Sequence, residues 1–435
     1  MQLYRKILHP RWVRATAKRL DLRVRGGVYS YTVVWWLMIM QRVQAGGTLA
    51  SAVGGAIGGM CGSLLSKQQR SHLSSRTGGY SRARHAVPLA MTTAAVNQLT
   101  ESLQEMLSEA AGPKRPIYLL DGSSLQLPHE KKLLERYPPS ESSQGSSHWG
   151  VVRIVVVHEA RSGLAVAPAW GPMYGPQAVS EQALAERVLE RLPSDAVVVG
   201  DRNFGVFRVA YAVCRSGRKG LFRMTKERAE SMAGAPLTAG SELSLVWHPT
   251  RWERKRHPEF PPEACVPGRL LVYQLPGFRQ LLYLFAAWEE ASREEALESY
   301  GLRWNVESDL RALKQTVGLH RVQVKSEEML AKELLAAIAA YNLVRTIISL
   351  AVQPMQWHPR ELSFTHVLNL VRTFLPVLLE KPSRRRSQEL QLLLRATRQC
   401  RLPKRPATIK RSYPRAVWGR GYRFPGRHET RQNGK

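Results

Sequence analysis

Apolar residues along this 435-residue chain change their spacing twice, from helical to strand-like and back again. Up to about residue 105 the pattern predicts helices, with the run YTVVWWLMIM (31–40) as a buried one. From residue 115 to 225, short β-rich runs bounded by Pro and Gly alternate with helical periodicity. The predicted order is three strands, a helix, a strand, a helix and a strand, which favours an α/β domain built on a mixed sheet.

Individual elements follow from the same pattern. The runs predict strands at 117–120, 149–160, 163–170, 197–200 and 219–225. The near-continuous apolar run at 149–160 indicates a strand that is buried on both faces. Helices are predicted at 177–192 and 207–217.

The predicted elements divide the chain into five parts. Three strand-like runs after residue 225 form a β-rich insertion, and helices resume near residue 291. The parts are a helical N-terminal region (1–105), an α/β core (106–225 and 291–330), the insertion (226–290), C-terminal helices (331–400) and a basic tail (401–435). All charged residues from 46 to 85 are basic, so the N-terminal region is interpreted as a nucleic-acid-binding region or as helices that pack on the core. The tail is interpreted as a nucleic-acid-binding arm or as a solvated tail.

Charge and cysteine content narrow the partner and the compartment. The chain has 64 Lys and Arg against 34 Asp and Glu, a net charge of +30 and a pI of about 10.6, which favours nucleic acid as partner. A basic ribosome-associated protein is the alternative. Four widely separated cysteines without a C-x-x-C pair indicate a reducing cytoplasm. The run 31–40 is shorter than the roughly 20 apolar residues that span a bilayer, so no membrane segment is expected.

The stretch YGLRWNVESDLRALK (300–314) predicts one amphipathic helix. At about 100° per residue, one polar stripe holds Tyr300, Arg303, Glu307, Arg311 and Lys314. The adjacent arc is apolar and is expected to pack on the sheet, through Leu302, Val306, Leu310, Leu313 and Val317. Asp309 points to the opposite side and is expected in solvent. Taken alone, such a stripe is typical of surface ion pairs, but two other carboxylates change that interpretation.

Two aspartates end apolar strands. Asp121 follows IYLL (117–120) and Asp201 follows VVVG (197–200), and a charge at such a position needs a counterion or a polar partner. If the two strands are neighbours, the aspartates lie close together, and Glu307 from a helix on the sheet would complete an oxygen cluster. Carboxylate clusters select hard cations such as Mg²⁺ and Mn²⁺. Two such metals about 4 Å apart suit in-line displacement at phosphorus.

The aspartates and the nearby histidines also have structural interpretations. Each aspartate has a structural alternative as a turn or cap residue beside a glycine. The sequence contains no H-E-x-x-H, P-loop or G-x-S-x-G motif and no cysteine cluster, so no rival chemistry is indicated. His148 and His158 flank a strand and are interpreted as hydrogen-bonded or exposed histidines rather than metal ligands.

The spacing of Tyr300, Arg303, Glu307 and Lys314 resembles a known signature. It matches the Y-(2)-R-(3)-E-(6)-K pattern of the DDE transposases of bacterial insertion sequences, in the group named after insertion sequence four. The segments LLDGSSLQLP and VVVGDRNFG resemble the first- and second-aspartate motifs of that family. KRSYPR, near the end of the chain, is similar to its C-terminal tail. The resemblance covers about residues 25 to 420, and the N-terminal hundred residues match least.

This resemblance implies a fold and an activity. The fold is an RNase H-like mixed-sheet core with a β-rich insertion between the second aspartate and the glutamate. The activity is Mg²⁺-dependent cleavage of double-stranded DNA at terminal inverted repeats, with Mn²⁺ as a substitute, followed by strand transfer into target DNA. Members of the family act as dimers that pair two DNA ends. The helical N-terminal region (1–105) is therefore expected to bind DNA ends, and the α/β core (106–225 and 291–330) is expected to be the catalytic core. A cytoplasmic, nucleoid-associated bacterial enzyme is therefore expected.

Site residues are carried over position by position. The resemblance implies that the catalytic metal ligands are Asp121, Asp201 and Glu307. It implies phosphate contacts near the scissile bond for Tyr300, Arg303 and Lys314, and we expect Arg311 on the same stripe to bind DNA as well. Excision in the family often passes through a hairpin with a flipped base stacked on an aromatic ring. The candidates for that ring are Trp247, Trp252 and Trp288, and the sequence does not choose among them.

Two alternative functions stay open at this point. One is an RNase H-like DNA nuclease without strand transfer, which the joining of a precut end to plasmid DNA would separate from a transposase. The other is a repurposed, non-catalytic DNA-binding protein. Loss of one acid would have favoured the second, but all three are present. A wide separation of the three carboxylates would favour it again, because shared metals need ligands at about 2 Å.

Overall fold

We describe a computed structural model of the chain, which covers residues 7–23, 26–44, 47–111, 115–143, 145–380 and 383–403. The elements described below lie in one compact unit, Met1–Arg401. The predicted tail, apart from its first three residues, and the KRSYPR segment lie outside the described residues.

Ten strands are present among the described residues. They are β1 (Ile117–Gln126), β2 (Glu141–Ser142), β3 (Gly145–Ser146), β4 (Val151–Glu159), β5 (Ala169–Pro172), β6 (Val197–Gly200), β7 (Lys219–Met224), β8 (Glu242–Trp247), β9 (Val266–Tyr273) and β10 (Leu282–Ala287). Eight of them form one mixed sheet in the order β5-β4-β1-β6-β7-β10-β9-β8, and β2 and β3 form a separate hairpin. Strand β6 runs parallel to both β1 and β7, so the carboxyl ends of these three strands share one edge of the sheet.

In the described ranges, α-helices precede, connect and follow these strands. Those before β1 are α1 (Pro10–Arg19), α2 (Tyr31–Val43), α3 (Leu49–Gly55), α4 (Lys67–Ser71), α5 (Gly78–Ala86) and α6 (Leu89–Ala111). Those between strands are α7 (Lys131–Arg136), α8 (Glu181–Leu189), α9 (Phe207–Arg215), α10 (Lys226–Ala233) and α11 (Arg251–Arg256). Those after β10 are α12 (Arg293–Gly301), α13 (Trp304–Arg311), α14 (Glu327–Val352), α15 (Phe364–Glu380) and α16 (Ser383–Arg398).

Alternation along the strands divides the core into two clusters, because successive side chains point to opposite faces of a sheet. In β1, Leu119 belongs to a cluster that includes α13, α14 and the N-terminal helices. Its neighbours Tyr118 and Leu120 belong to a second cluster, which includes α8 and α9. The sheet is therefore covered by helices on both faces, which explains why β6 and the middle of β4, residues 154–157, consist of buried apolar residues and glycine.

The predicted β-rich insertion is present as three strands that extend the core sheet. Strand β10 pairs antiparallel with β7, β9 with β10, and β8 with β9. The basic, proline-rich segment between β8 and β9 also contains the short helix α11, which begins with a capping box at Thr250 and Glu253. The predicted strand 163–170 is displaced: Ala165 makes a single bridge to His158, and β5 begins only at Ala169, after Pro168.

The N-terminal helices pack on α14. The predicted buried helix is confirmed as α2, in which every residue except Arg42 is buried. Glu333 on α14 is buried and forms ion pairs with Arg42 of α2 and Arg84 of α5. Packing on the core is therefore present for this region, and DNA-end binding stays a prediction.

Helix α14 is the central helix of the fold. Within the described part of the chain, Glu327–Met355 is the single stretch whose length and apolar composition would suffice to cross a membrane. Of its most apolar window, 94% is buried inside the protein. Such burial is the ordinary property of a core helix.

Candidate active site

Asp121 and Asp201 lie side by side at the carboxyl edge of the sheet. The last parallel pair between β1 and β6 joins Leu120 to Gly200, and the two aspartates come next along the chain. Asp201 follows the end of β6, as predicted. Asp121 lies inside β1, which continues to Gln126 and pairs with β4, so the prediction that Asp121 ends its strand is wrong. Neighbouring strands are about 4.8 Å apart, so the two aspartates are close neighbours. Alternation places the Asp121 side chain on the face that α13 covers. The predicted adjacency of the two strands is therefore confirmed.

Negative charge accumulates at this edge. The pKa of Asp121 is raised to about 6, chiefly by burial and in addition by the Asp201 and Glu181 carboxylates. The Gly122 N–H and the Arg303 guanidinium oppose that rise. The Gly122 N–H donates to Asp121 Oδ1 at 2.8 Å. The like charges show that the edge has less positive charge than its carboxylates would require for full compensation.

Glu181 is a carboxylate of the site that the sequence analysis missed. It opens α8, its carboxylate accepts from the Asn203 side chain, and its pKa is raised by burial. A Cβ added to Gly122 would overlap the Glu181 carboxyl group, so this carboxyl group occupies the space that the glycine leaves and would have to move if Gly122 were replaced. Glu181 is the first residue of α8 and follows the N-cap Ser180. In the sequence this pattern is typical of an ordinary helix start, so it gave no signal of a functional site.

The predicted single helix from Tyr300 to Lys314 is interrupted. Helix α12 ends at Gly301 and α13 begins at Trp304, because i→i+3 hydrogen bonds such as Arg303 N–H to Tyr300 O tighten the turn between them. A π-helical turn, Ala312–Thr316, then follows α13. The predicted common stripe is therefore wrong in detail, although the apolar arc is largely confirmed: Val306, Leu310, Leu313 and Val317 are buried and Leu302 is partly buried.

Glu307 is not brought to the aspartates in this structure. Its side chain is 45% exposed, and Arg303, one helical turn earlier, donates to its Oε1 at 3.1 Å. Arg303 itself is only 9% exposed and acts electrostatically on Asp121. Arg303 therefore bonds the carboxylate of Glu307 and also acts on that of Asp121.

Three other predicted DNA contacts line the same edge to different extents. The Tyr300 hydroxyl bonds Arg223; burial raises its pKa, the charges of Arg303 and Arg223 oppose that rise, and the Asp201 charge adds to it. Lys314 donates to Ser123 Oγ at 2.9 Å, and partial burial lowers the pKa of its ammonium group. Arg311 is exposed on the surface of α13.

The three tryptophans predicted as candidates for base stacking differ in solvent access. Trp247 is buried against the rings of Phe207 and Phe285, and Trp288 is buried as well. Trp252 is 63% exposed on α11. A flipped base can stack only on an accessible ring, so the structure favours Trp252 among the three candidates.

Trp304 is a further exposed aromatic that the sequence analysis did not select. It is 65% exposed, begins α13, and holds the Arg303 guanidinium 4.7 Å from its ring centroid. Its position three residues before Glu307 was the available signal.

Asp309 is fully buried, so the expectation that it faces solvent is wrong. Its Oδ1 accepts from the Tyr341 hydroxyl at 2.9 Å and from the guanidiniums of Arg345 and Arg360. Burial alone would raise the pKa of Asp309, but the two guanidiniums outweigh it and hold that pKa below its ordinary value. The physical reason is that α13 is enclosed, with the sheet on one side and α14 on the other.

His158, in β4, borders this buried ion cluster. It is fully buried, and neither ring nitrogen has a hydrogen-bond partner among the described residues, which corrects the earlier interpretation. Burial lowers the pKa of His158 to about 4, with Asp309 opposing the shift and the two arginines adding to it. His158 is therefore neutral at pH 7.

The donor set fits a hard divalent cation only in part. Within the described ranges, no three His, Cys, Asp or Glu side chains are grouped closely enough to hold a metal ion. Asp121 and Asp201 nevertheless offer oxygen ligands whose mutual repulsion a cation would relieve. Completion of the set by Glu307 requires that its carboxylate leave Arg303.

We expect Asp121→Asn to stabilise the protein in the absence of divalent ions. A carboxyl whose pKa rises on folding holds its proton more tightly when folded, so its ionisation costs stability as pH rises from the unfolded value through about 6. Above pH 6 the variant should exceed the wild type by about 3 kcal/mol, and the difference should nearly vanish by pH 4. Urea unfolding at several pH values measures it.

A surface variant, Glu298→Gln, serves as the control for that series, since Glu298 is exposed on α12. It should show no gap that closes at low pH. Addition of Mg²⁺ at pH 7 should raise the melting temperature of the wild type and leave that of Asp121→Asn nearly unchanged. An Asp121→Asn protein that is less stable than the wild type at pH 7 without metal would contradict the assignment of uncompensated charge.

Two comparisons with known proteins identify the family to which this chain is related. Residues 112–343, more than half of the chain, match the model of the Transposase DDE domain. The chain is also 25% identical over 312 residues to the transposase InsG of insertion sequence element IS4 from Escherichia coli K12, an alignment that covers 70% of this chain and 68% of that protein. The matched region includes both aspartates, Glu307 and the whole eight-stranded sheet. The chain belongs to the DDE transposases, in the group of insertion sequence IS4.

Proposed function

We propose that this transposase cleaves DNA at the ends of its insertion sequence with Mg²⁺ and joins the freed ends to target DNA. The observation that supports this most is the pair Asp121 and Asp201, adjacent on parallel strands with incompletely compensated charge. Tyr300, Arg303 and Lys314 supply hydrogen-bond donors on the α13 side of this edge. Acidic metal ligands beside basic phosphate contacts suit phosphoryl transfer on DNA.

Membership of the family makes the chain a DNA-cleaving enzyme that depends on divalent metal ions. Mg²⁺ as the specific ion, with Mn²⁺ as a substitute, is our proposal, and it is supported by the all-oxygen donor set. We also propose that two copies pair two transposon ends, and that the enzyme acts in the cytoplasm at the nucleoid. The net charge of +30 supports sequence-independent affinity for the DNA backbone.

Asp121, Asp201 and Glu307 would hold the metal ions. When bound, these ions supply Lewis-acid activation of the attacking hydroxyl group and offset charge that develops on the phosphate. The protein positions the strand: Lys314, fixed by Ser123, and the Tyr300 hydroxyl, fixed by Arg223, hold phosphate oxygens beside the aspartates.

Arg303 couples DNA binding to assembly of the acidic set. Its guanidinium now bonds Glu307, and a DNA phosphate would compete with that carboxylate for the same N–H groups. Phosphate binding therefore releases Glu307, which becomes available to the metal site. In this mechanism DNA and metal favour each other's binding, as linkage requires.

The test uses the purified full chain, Mg²⁺ and a duplex that carries the element's terminal repeat, read from the DNA next to the gene. We expect strand-specific cleavage at the repeat boundary, and a precut duplex should become joined to a supercoiled plasmid. Cleavage without joining would establish the nuclease alternative. Repeat binding without cleavage in either Mg²⁺ or Mn²⁺ would establish a non-catalytic DNA-binding protein.

A further inference from the structure

A basic pocket lies beside Asp201, and the mechanism above does not use it. It has a volume of about 390 Å³ and is lined by Gln182, Asp201, Arg202, Asn203, Val206, Thr225 and Arg228. We propose that this Arg202–Arg228 pocket binds a DNA backbone phosphate next to the one that is cleaved. The inference rests on the proposed function for its partner and adds a second contact point on the strand.

The position of the pocket relative to the sheet supports this proposal. It is built from the segments that follow β6 and β7 and from the start of α8, which packs on the sheet face opposite to α13. Tyr300 and Arg303 approach the aspartates from the α13 face. A DNA strand that crosses the carboxyl edge would therefore meet basic groups on both sides of the aspartate pair.

The chemistry of the lining residues also supports phosphate binding. Two guanidiniums supply N–H donors, and Asp201 supplies the single negative charge of the lining. The amides already have partners: Gln182 donates to the backbone and side-chain oxygens of Asn203, and Asn203 donates to the Glu181 carboxylate. Guanidinium groups bind phosphate oxygens through their fixed fork of N–H donors. When Asp201 holds a divalent ion, its charge is offset and the attraction of the pocket for phosphate increases.

The two arginines are held differently. Arg228 donates one guanidinium N–H to the Gly205 carbonyl, which fixes its direction, and a guanidinium has five N–H donors in all. Arg202 is exposed, and it interacts electrostatically with Glu227 at the start of α10. Arg228 thus forms the fixed wall of the pocket, and Arg202 is the side chain that closes over a ligand.

Helix ends add to the positive potential. Thr225 caps α10 by accepting from the Arg228 N–H, and Val206 precedes α9, whose first turn receives no side-chain cap. Both helices therefore direct their N-terminal ends, which carry partial positive charge, at the pocket. This contribution supports the arginines, which carry the proposal.

The phosphate has two possible sources, the transposon end or the target DNA, and one experiment separates them. Single phosphates are replaced in turn by neutral methylphosphonates, first in the terminal-repeat duplex and then in a target duplex that is offered precut ends. With wild-type protein, a substitution within about three nucleotides of the reacting phosphate should weaken binding or joining about tenfold, since nucleotides rise about 3.4 Å each and charged hydrogen bonds are strong. The affected duplex identifies the source.

The variants Arg202→Gln and Arg228→Gln should each weaken binding of the unmodified duplex about tenfold, the effect of a lost charged hydrogen bond. In the double variant, the methylphosphonate at the sensitive position should cause no further loss, because the phosphate and the arginines form one contact. Arg215→Gln is the matched control, since Arg215 is exposed at the opposite end of α9. It should keep the full methylphosphonate pattern.

The outcomes are distinguishable. If wild-type protein cleaves and joins DNA, but the double variant keeps the sensitive position or matches Arg215→Gln, the pocket proposal is overturned and the proposed function stands. If the sensitivity is lost as expected but no cleavage occurs, the pocket is a DNA phosphate site and the proposed function fails. If inorganic phosphate stabilises the protein through these arginines while no duplex position responds, the pocket binds an adventitious ion only, and the proposal is overturned.

Discussion

Replacement of Asp121 or Asp201 with Asn, or of Glu307 with Gln, is expected to lower the rate of end cleavage at least about a thousandfold, because each removes a charged ligand worth several kcal/mol in the transition state. The amides keep the shape of the side chains, so the fold should persist. Binding of end DNA without metal should weaken little or improve, since a negative charge near phosphate is removed. Gel-based cleavage with Mg²⁺ and a parallel binding titration measure the two effects.

Glu298→Gln provides the matched control for these three variants, since it removes a carboxylate from the exposed surface of α12. Its cleavage rate should equal that of the wild type. A near-normal rate for any one of the three amide variants would remove that residue from the catalytic set. Glu307 is the most informative of the three, because the structure holds its carboxylate on Arg303 and away from the aspartates.

Glu181 is a further acidic residue near this site, and it lies outside the family signature. Its carboxylate approaches Gly122 and acts on Asp121, but it bonds Asn203 and opens a helix on the other face of the sheet. We interpret it as a positioning residue for the turn after β6 rather than as a metal ligand. Its effect should therefore appear as a change in how Asp201 and Asn203 are held.

What the sequence could predict here is governed by distance along the chain. Strands and the apolar arc of α13 follow from local periodicity, and the neighbourhood of Asp121 and Asp201 follows from two similar apolar runs, each followed by an aspartate. The continuation of β1 past Asp121 to Gln126 depends on its pairing with β4, which no local pattern reports. Glu181 and Gly122 are about 60 residues apart, and their contact depends on how α8 packs on the sheet. No local pattern contains that information.

The helix of the signature illustrates the same limit at shorter range. A regular helix from Tyr300 to Lys314 would place Arg303 and Glu307 on one exposed stripe. The tight turn after Gly301 instead buries Arg303 beside Asp121 and leaves Glu307 largely outside. Such a turn depends on the packing of α12 and α13 against different strands, which periodicity does not report.

The burial of Asp309 could not be predicted from local sequence, because its partners are remote along the chain. Its two arginines lie 36 and 51 residues further along the chain, on α14 and on the turn that precedes α15. From the sequence it is a polar residue on the side of a helix away from the sheet, which normally means solvent. The structure makes it the centre of a buried ion cluster that fixes α13, and with it Glu307, to the central helix.

Asp309→Ala is therefore expected to destabilise the protein by about 3–5 kcal/mol, because it leaves Arg345 and Arg360 buried without their counterion. Chemical unfolding followed by circular dichroism measures the loss. Glu307→Ala, two residues away on the same helix, is the matched control and should cost only about 0–1 kcal/mol, as for an exposed ion pair. The two positions should thus separate cleanly: Glu307→Ala removes activity and keeps stability, whereas Asp309→Ala removes stability.

Acidification should act on the same cluster. The pKa of Asp309 is held low in the folded state, so its contribution to stability is present at neutral pH and is lost as pH falls through that lowered pKa. The pKa of His158 is also lowered, to about 4, so protonation favours the unfolded chain as pH falls from about 6.5 to 4. His158→Gln should remove the pH dependence that arises from His158 and leave the one that arises from Asp309.

An Asp309→Ala protein as stable as Glu307→Ala would contradict the predicted role of the ion cluster. It would show that α13 is held by its apolar face alone, and that the two arginines find other partners or water.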